Sequence, residues 1–271
     1  MEYDADGRLI RKVEPYLNTS LTSSDSGTVS TVYKYGSVGL PEDVATEHPG
    51  SPRQITSKIN GIVMTDKLFA FFPNGRIEIT NGLRTETYYF NDDENDGRIQ
   101  RSVHPDGTET HYSYTTIKGS TGKVVSETVV VSKGKASGGS IVDGTRTVTV
   151  TNANGTKVSE SIVDIASDVV ISDETASAFD NFGRVIERTF ADGTKSTRQY
   201  GCCGVDYEVD RMGVRTDYSY DNLGRTKSVT RLGIENEHFY DSHGFLSKDT
   251  RNGKAISQYA YTGGDLTSIT D

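Results

Sequence analysis

The feature that most constrains this chain is a short turn sequence at Tyr220–Arg225, which reads Tyr-Asp-Asn-Leu-Gly-Arg. The side chain of Asp221 can accept a hydrogen bond from the backbone N–H two residues later, which fixes a turn. Gly224 can take a positive φ without a steric penalty. The flanking residues 218–220 and 226–230 are rich in the aromatic, hydroxyl and β-branched side chains that strands favour. The sequence therefore predicts a β-hairpin with this turn at its tip.

The same turn recurs along the chain at a regular spacing. The aromatic residues Tyr220, Tyr240 and Tyr261 are 20 and 21 residues apart, which indicates a structural repeat. Catalytic groups seldom recur in every unit of a repeat, so we expect the repeated residues to shape turns and to pack against the neighbouring unit. These turn residues are Asp4, Gly7, Arg8, Asp180, Gly183, Arg184, Tyr220, Asp221, Gly224, Arg225, Tyr240, Asp241 and Gly244.

A second kind of turn lies between the copies of the first. It contains Asp-Gly-Thr or a related sequence, as at Asp192-Gly193-Thr194 and Pro105-Asp106-Gly107-Thr108. Each period then holds two strands and two turns, most clearly at 185–190 and 195–200. The predicted fold class is all-β: an array of antiparallel β-hairpins that forms a spiral sheet or a partial β-shell.

Three segments depart from this pattern. Residues 14–70 are irregular. The Ser/Thr-rich residues 18–30 predict a loop or an irregular hairpin, and residues 41–48 predict one short helix, with Pro in its first turn and acidic residues after it. Residues 133–144, rich in Gly, Ser and Lys, are predicted to form a loop. We expect a single array over residues 1–271, with the clearest repeats at 178–271, because the repeats resume after each irregular part.

Composition excludes several classes of function. The 271 residues carry a formal net charge of −9 and no basic stripe, so we expect no nucleic-acid partner. No apolar run approaches the roughly 20 residues of a membrane helix, so we expect no membrane insertion. The chain begins without a signal peptide and both ends lie within repeat-like sequence, from which we expect a piece of a longer protein.

The repeated turns resemble those of the YD-repeat, or Rhs (rearrangement hot spot), family. The resemblance rests on the turns at 3–8, 179–184, 220–225 and 240–244, with Asp-Gly-Thr turns between them. It implies hairpins wound into a spiral sheet that can close into a hollow shell, as in bacterial secreted toxins, insecticidal toxin complexes and teneurin adhesion proteins. It also implies a secreted or cell-surface location and, as partner, the rest of the parent polypeptide. The chain is far shorter than a complete shell and has no Asp-Pro-x-Gly self-cleavage sequence.

An acidic loop at 91–97 is the candidate metal site. Asp92, Glu94 and Asp96 alternate and precede Gly97, like the first half of a calcium-binding loop. The position of the expected bidentate Glu holds Val103, so a solvated acidic turn is the favoured interpretation and a weak Ca²⁺ site the alternative. No other cofactor is expected.

The only cysteines, Cys202 and Cys203, are adjacent and flanked by Gly201 and Gly204. They can form a vicinal disulfide, with the glycines absorbing the backbone distortion, or remain two free thiols beside a tight turn. Export to an oxidising compartment favours the disulfide. Zinc is not expected, because two adjacent cysteines cannot supply four tetrahedral ligands.

Three functions are compatible with these features. The first is non-enzymatic: a structural segment that builds part of a β-shell and encloses or presents another domain, of toxin or adhesion type. The second is an extracellular module that binds a glycan or a surface protein through its Tyr-rich strands. The third is a carbohydrate-active enzyme in which His104 and His111 face each other across the Pro105-Asp106-Gly107 turn, near Tyr112 and Tyr114. No nucleotide-binding or nucleophile motif is present, so we expect no enzyme.

Overall fold

The computed structural model of the protein describes residues 1–15 and 28–271. Those residues form 22 β-strands and no helix. Consecutive strands pair in antiparallel hairpins wherever their register is defined, for example β14 with β15 at 185–200 and β17 with β18 at 215–231. The prediction of an all-β fold made of antiparallel hairpins is confirmed. Within the described part of the chain, no helix is long and apolar enough to cross a membrane.

The chain divides into two compact units. The first comprises Met1–Ile117, Glu127–Val148 and Val163–Val169, and the second comprises Lys118–Ser126, Thr149–Ile162 and Val170–Asp271. The single array expected over residues 1–271 stays a prediction.

The strands of the first unit are β1 (Glu2–Tyr3), β2 (Leu9–Pro15), β3 (Thr28–Lys34), β4 (Gln54–Ile59), β5 (Ile62–Phe72), β6 (Gly75–Thr80), β7 (Leu83–Tyr89) and β8 (Ile99–Val103). Four strands have residues in both units: β9 (Glu109–Lys118), β10 (Val124–Ser137), β11 (Ser140–Asn152) and β12 (Lys157–Asp164). The second unit continues with β13 (Val170–Phe179), β14 (Val185–Phe190), β15 (Lys195–Tyr200), β16 (Val205–Val209), β17 (Arg215–Tyr220), β18 (Thr226–Arg231), β19 (Ile234–Tyr240), β20 (Leu246–Arg251), β21 (Lys254–Thr262) and β22 (Asp265–Thr270).

Small side chains make up much of the buried part of the first unit. Ala70 and Ile77 are cross-strand partners and are 0% and 2% exposed. A row of hydroxyl residues crosses β7, β8 and β9, where Thr87 pairs with Ser102 and Ser102 with Thr110, and all three are buried. Such a thin core follows from a chain with only 33% hydrophobic residues.

The strand register shifts at aromatic residues near the ends of five strands. In the second unit the shift falls between Ala178 and Phe179, and the same irregularity precedes four further aromatic residues, Tyr200, Tyr220, Tyr240 and Tyr261. A β-bulge inserts one extra residue and re-aims the side chain next to it. The aromatic residues of the repeat are therefore set by the bulge rather than by simple strand alternation.

The helix predicted at 41–48 is wrong. The segment forms isolated turns, in which the backbone N–H of Glu47 donates to the carbonyl oxygen of Val44. The carboxylate of Asp43 instead binds the Arg53 guanidinium and accepts the backbone N–H of Phe71 at 3.0 Å. These tertiary partners hold the backbone against β5 and outweigh the local preference for a helix.

The loop predicted at 133–144 is also wrong, because β10 and β11 continue through it and turn at Gly138-Gly139. Gly134 and Gly144 have φ values of 152° and 140°, and a Cβ at either would overlap a carbonyl oxygen of the facing strand. The glycines thus permit close approach of the two strands. Of the loop predicted at 18–30, residues 18–27 lie outside the described residues, and Thr28–Ser30 belong to β3.

Candidate functional site

The most regular constellation in the structure is one that we name the turn clamp: the turn Asp, the Arg four residues later and the aromatic residue of a following hairpin. In the clamp of Asp221, Oδ1 accepts the backbone N–H groups of Leu223 (2.8 Å) and Arg225 (3.0 Å), and Oδ2 accepts Nε–H of Arg225 (2.7 Å). The Arg225 guanidinium carbon lies 4.0 Å from the Tyr240 ring centre. The Tyr240 hydroxyl donates to the carbonyl oxygen of Thr226 at 3.0 Å.

The turn sequence explains this geometry locally. The backbone N–H of Asp221 donates to the carbonyl oxygen of Arg225, and that of Gly224 donates back to Asp221. Gly224 has a φ of 76°, where a side chain would be strained. The Arg225 side chain, as the main hydrogen-bond donor to the carboxylate, lowers the pKa of Asp221. The carboxylate and the guanidinium therefore bind each other, and both also form hydrogen bonds with the backbone.

Two further clamps repeat these contacts in full or in large part. The carboxylate oxygen lies 2.7 Å from Nε of the arginine in both, and the guanidinium carbon lies 4.8 Å and 4.1 Å from the ring centre. They are formed by Asp4, Arg8 and Tyr35, and by Asp180, Arg184 and Tyr200. In each clamp the side chains link a turn to an aromatic residue at the end of a later strand: Tyr200 ends β15, Tyr240 ends β19 and Tyr35 directly follows β3.

One copy replaces the cation with an aromatic ring. Asp241 accepts the backbone N–H groups of His243 and Phe245, both at 2.9 Å, so the turn itself is unchanged. Phe245 occupies the arginine position and stacks on Tyr261, with ring centres 4.8 Å apart. The contact to the next aromatic residue is thus kept while the ion pair is lost.

The acidic loop at 91–97 uses its first carboxylate to close its own turn. Asp92 Oδ1 accepts the backbone N–H groups of Glu94 (3.0 Å) and Asn95 (2.7 Å). Among the described residues, which include Asp92, Glu94 and Asp96, no group of three or more Asp, Glu, His or Cys side chains is placed to hold a metal ion. Calcium binding here gains no support from the geometry.

The insertion also separates Arg98 from a turn carboxylate. Arg98 instead pairs with Glu127 at 2.5 Å and lies 4.7 Å from the Tyr114 ring centre. The Tyr114 hydroxyl donates to the carbonyl oxygen of Ile99 at 3.2 Å. The arginine–tyrosine part of the turn clamp therefore persists with a carboxylate from another strand.

The Gly201–Gly204 turn is one residue shorter than the clamp turns and has neither Asp nor Arg. Cys202 and Cys203 are exposed thiols whose sulfur atoms lie 2.8 Å apart. The Tyr220 hydroxyl lies against Gly204, where an added Cβ would be 2.5 Å from it, and donates to the carbonyl oxygen of Val205. The tyrosine contact thus survives without arginine because glycine leaves room for the ring. Oxidation of the thiols to a vicinal disulfide stays a prediction.

His104 and His111 do not face each other, contrary to the expectation for an enzyme site. The cross-strand partner of His111 is Arg101, and the backbone N–H of His104 pairs with Thr108. A ring nitrogen of His104 lies 2.8 Å from the Thr110 hydroxyl, and one of His111 lies 2.6 Å from Glu109. The two imidazoles have separate partners.

The second kind of turn is stabilised by its own threonine. Asp192 Oδ1 accepts both the hydroxyl (2.6 Å) and the backbone N–H (3.0 Å) of Thr194, and Asp106 has the same two contacts with Thr108. The hydroxyl of Thr194 is the main cause that lowers the pKa of Asp192 to about 2, assisted by its backbone N–H and by Arg211.

The sequence did not identify Arg53 as an organising residue. Its guanidinium is almost fully buried, pairs with Asp43 at 2.9 Å and donates to the carbonyl oxygens of Glu47, His48 and Ser51. Nothing in the local sequence distinguishes this arginine, because its partners lie 2 to 10 residues away in an irregular segment.

Comparison with known proteins gives similarity to solved structures only. No protein-family model matches the sequence, and no curated protein matches it. The chain is similar to crystal structures of TcdB2-TccC3-TEV (14% identity, TM-score 0.30) and of TcdB2-TccC3 without its hypervariable C-terminal region (15% identity, TM-score 0.31). Each match covers 99% of this chain and 21% of the solved chain, so the chain spans about a fifth of their length.

Proposed function

We propose that this chain is a structural segment of a secreted or cell-surface bacterial protein. Its hairpins build part of a β-shell that encloses or presents another domain of the same polypeptide. The observation that carries the proposal is the turn clamp, which recurs with its carboxylate bound to its arginine and with that guanidinium lying over a tyrosine ring. The location and the enclosed domain follow from the resemblance of the turns to the YD-repeat family.

The proposed mechanism is geometric. Each hairpin has little apolar surface to bury, so it relies on its neighbours for stability, as units of other repeat arrays do. A clamp adds a hydrogen-bonded ion pair and a cation–π contact, of which the latter contributes about 0.5–1 kcal/mol at an exposed site. No catalytic residue or cofactor is required, and the natural partner is the flanking polypeptide.

A deletion matched to the repeat tests whether the hairpins act as interchangeable units. Removing residues 221–240 takes out β18 and β19 and joins Tyr220 to Asp241, which preserves the Tyr-Asp turn and the antiparallel alternation. We expect this variant to remain a folded β-protein with cooperative urea unfolding. The measurements are far-ultraviolet circular dichroism and urea titration.

The matched control removes residues 232–240, which deletes β19 and the turn before it. A short turn then joins β18 to β20, although these two strands run in the same direction in the intact chain. We expect the control to lose cooperative unfolding in the second unit. If the two deletions disrupt folding equally, the hairpins are not interchangeable units and the proposed array is rejected.

A further inference from the structure

Three departures from the repeat meet at one cavity of the first unit. The cavity has a volume of about 560 Å³, within the roughly 300–1,000 Å³ typical of small-molecule sites. The irregular segment contributes Glu47 and His48, and the acidic insertion contributes Asp96. The third contribution is the turn at 73–74, which precedes Arg76 and lacks the aspartate of a clamp turn.

Aromatic rings line the cavity. Phe71, Phe72, Tyr89 and Phe90 all contribute and are all half-buried. Phe72 and Phe90 make edge-on contacts with Tyr88 and Tyr114, with ring centres 5.6 Å and 6.0 Å apart. Rings held in this way offer stacking faces to a ligand at low cost in conformational entropy.

The wall formed by Phe71 is fixed in advance by a buried cation. The Arg53 guanidinium carbon lies 4.6 Å from the Phe71 ring centre, and the His48 ring lies 5.1 Å from it on an inclined plane. Arg53 also anchors residues 43–51 through its ion pair and carbonyl contacts. The irregular segment is thereby held as one side of the cavity.

Arg76 differs from the clamp arginines. The carboxylate paired with it is that of Glu78, at 3.9 Å, whereas the clamp ion pairs measure 2.6–2.7 Å. Its side chain is 43% exposed, and among the described residues its inaccessible Nε has no hydrogen-bond partner. The guanidinium can therefore donate from its outer nitrogens to a ligand in the cavity.

The polar groups of the cavity include both donors and acceptors. Arg76 and the Asn74 amide can donate, while the carboxylates of Glu47 and Asp96 can accept. A ligand hydroxyl group both donates and accepts hydrogen bonds, so it can use both kinds of partner. An apolar face of the same ligand can stack on the aromatic rings. Two carboxylates beside one arginine disfavour an anionic ligand. We propose that this cavity binds a neutral pyranose sugar, whose C–H face stacks on the rings and whose hydroxyls bind these groups.

A second cavity, of about 480 Å³ in the second unit, lacks this combination. The arginines that line it already pair with carboxylates, as Arg198 does with Glu208 at 2.7 Å. Among the described residues that line this cavity, Tyr200 is the one aromatic residue. The sugar site is independent of the proposed role in a β-shell, because it depends on residues outside the repeat.

The test is titration of the full 271-residue chain with methyl glycosides of glucose, galactose, mannose and N-acetylglucosamine, followed by saturation-transfer NMR and calorimetry. We expect at least one glycoside to bind with a dissociation constant of about 1 mM or below. Arg76→Met should weaken binding about tenfold. Arg84→Met is the control, because Arg84 has similar exposure and lies outside the cavity.

A second pair of variants separates stacking from hydrogen bonding. Tyr89→Ala should weaken binding about tenfold, and Tyr89→Phe should retain it, because only the ring face is required. Circular dichroism confirms that each variant is folded. The proposal is overturned if no glycoside binds the unaltered chain. It is also overturned if the Arg76→Met and Arg84→Met variants bind the glycoside with equal affinity. Either result leaves the repeat-deletion test unaffected.

Discussion

Replacing Arg53 with methionine should destabilise the first unit more than any surface substitution in it. Methionine keeps most of the apolar stem and removes the guanidinium. That group pairs with Asp43 at 2.9 Å, and the two side chains are only 3% and 4% exposed. The substitution leaves the Asp43 carboxylate buried with the Phe71 backbone N–H among its remaining donors.

The expected loss in unfolding free energy is about 3–5 kcal/mol, the usual cost of leaving one partner of a buried ion pair uncompensated. Three carbonyl oxygens also lose a donor, each worth about 1 kcal/mol, which places the loss toward the upper part of that range. For a domain of 150–250 residues, this corresponds to a fall in Tm of roughly 6–20 °C.

The assay is urea unfolding followed by circular dichroism, with Arg84→Met as the matched control. Arg84 pairs with Glu42 at 2.7 Å but is 40% exposed, so its loss should cost less than about 1 kcal/mol. Adding Asp43→Asn to Arg53→Met should recover part of the stability, since it removes the buried charge. Equal midpoints for Arg53→Met and Arg84→Met would refute the reasoning.

Three further predictions concern the second unit. Asp192 should titrate near pH 2 rather than 3.8, so its stabilising contribution is complete above pH 3.8 and is lost as pH falls through 2; a carboxyl ¹³C titration midpoint near 3.8 would contradict this. The Tyr218 hydroxyl donates to Glu208, and this hydrogen bond raises the pKa of Tyr218 to about 12. Glu208→Gln should therefore return the ultraviolet tyrosinate titration toward 10; an unchanged titration would exclude the hydrogen bond as the cause. Gly204→Ala should cost about 1–3 kcal/mol by forcing a tyrosine hydroxyl away, whereas Gly36→Ala, with open space around it, should not; equal unfolding midpoints would reject the contact.

The sequence was most informative where a turn is closed by its own residues. The strands predicted at 185–190 and 195–200 are β14 and β15 with the same bounds. The Asp192 carboxylate and its threonine are two residues apart, so the hydrogen bonds that close this turn are local. Sequence reasoning failed at 41–48, where contacts of Asp43 with Arg53 and Phe71 hold the backbone. It also failed at 133–144, where close approach of β10 and β11 at Gly134 and Gly144 extends the hairpin.

The residues of this chain by themselves determined an all-β protein with a repeated turn, because each turn is fixed by hydrogen bonds among about five consecutive residues. Only the tertiary structure decided which aromatic residue each arginine meets, since a β-bulge sets the direction of that ring. It also decided that Glu47, Arg76 and Asp96 line one cavity. Those residues come from separate turns and an irregular segment, and cross-strand register together with the buried Arg53 brings them into one place.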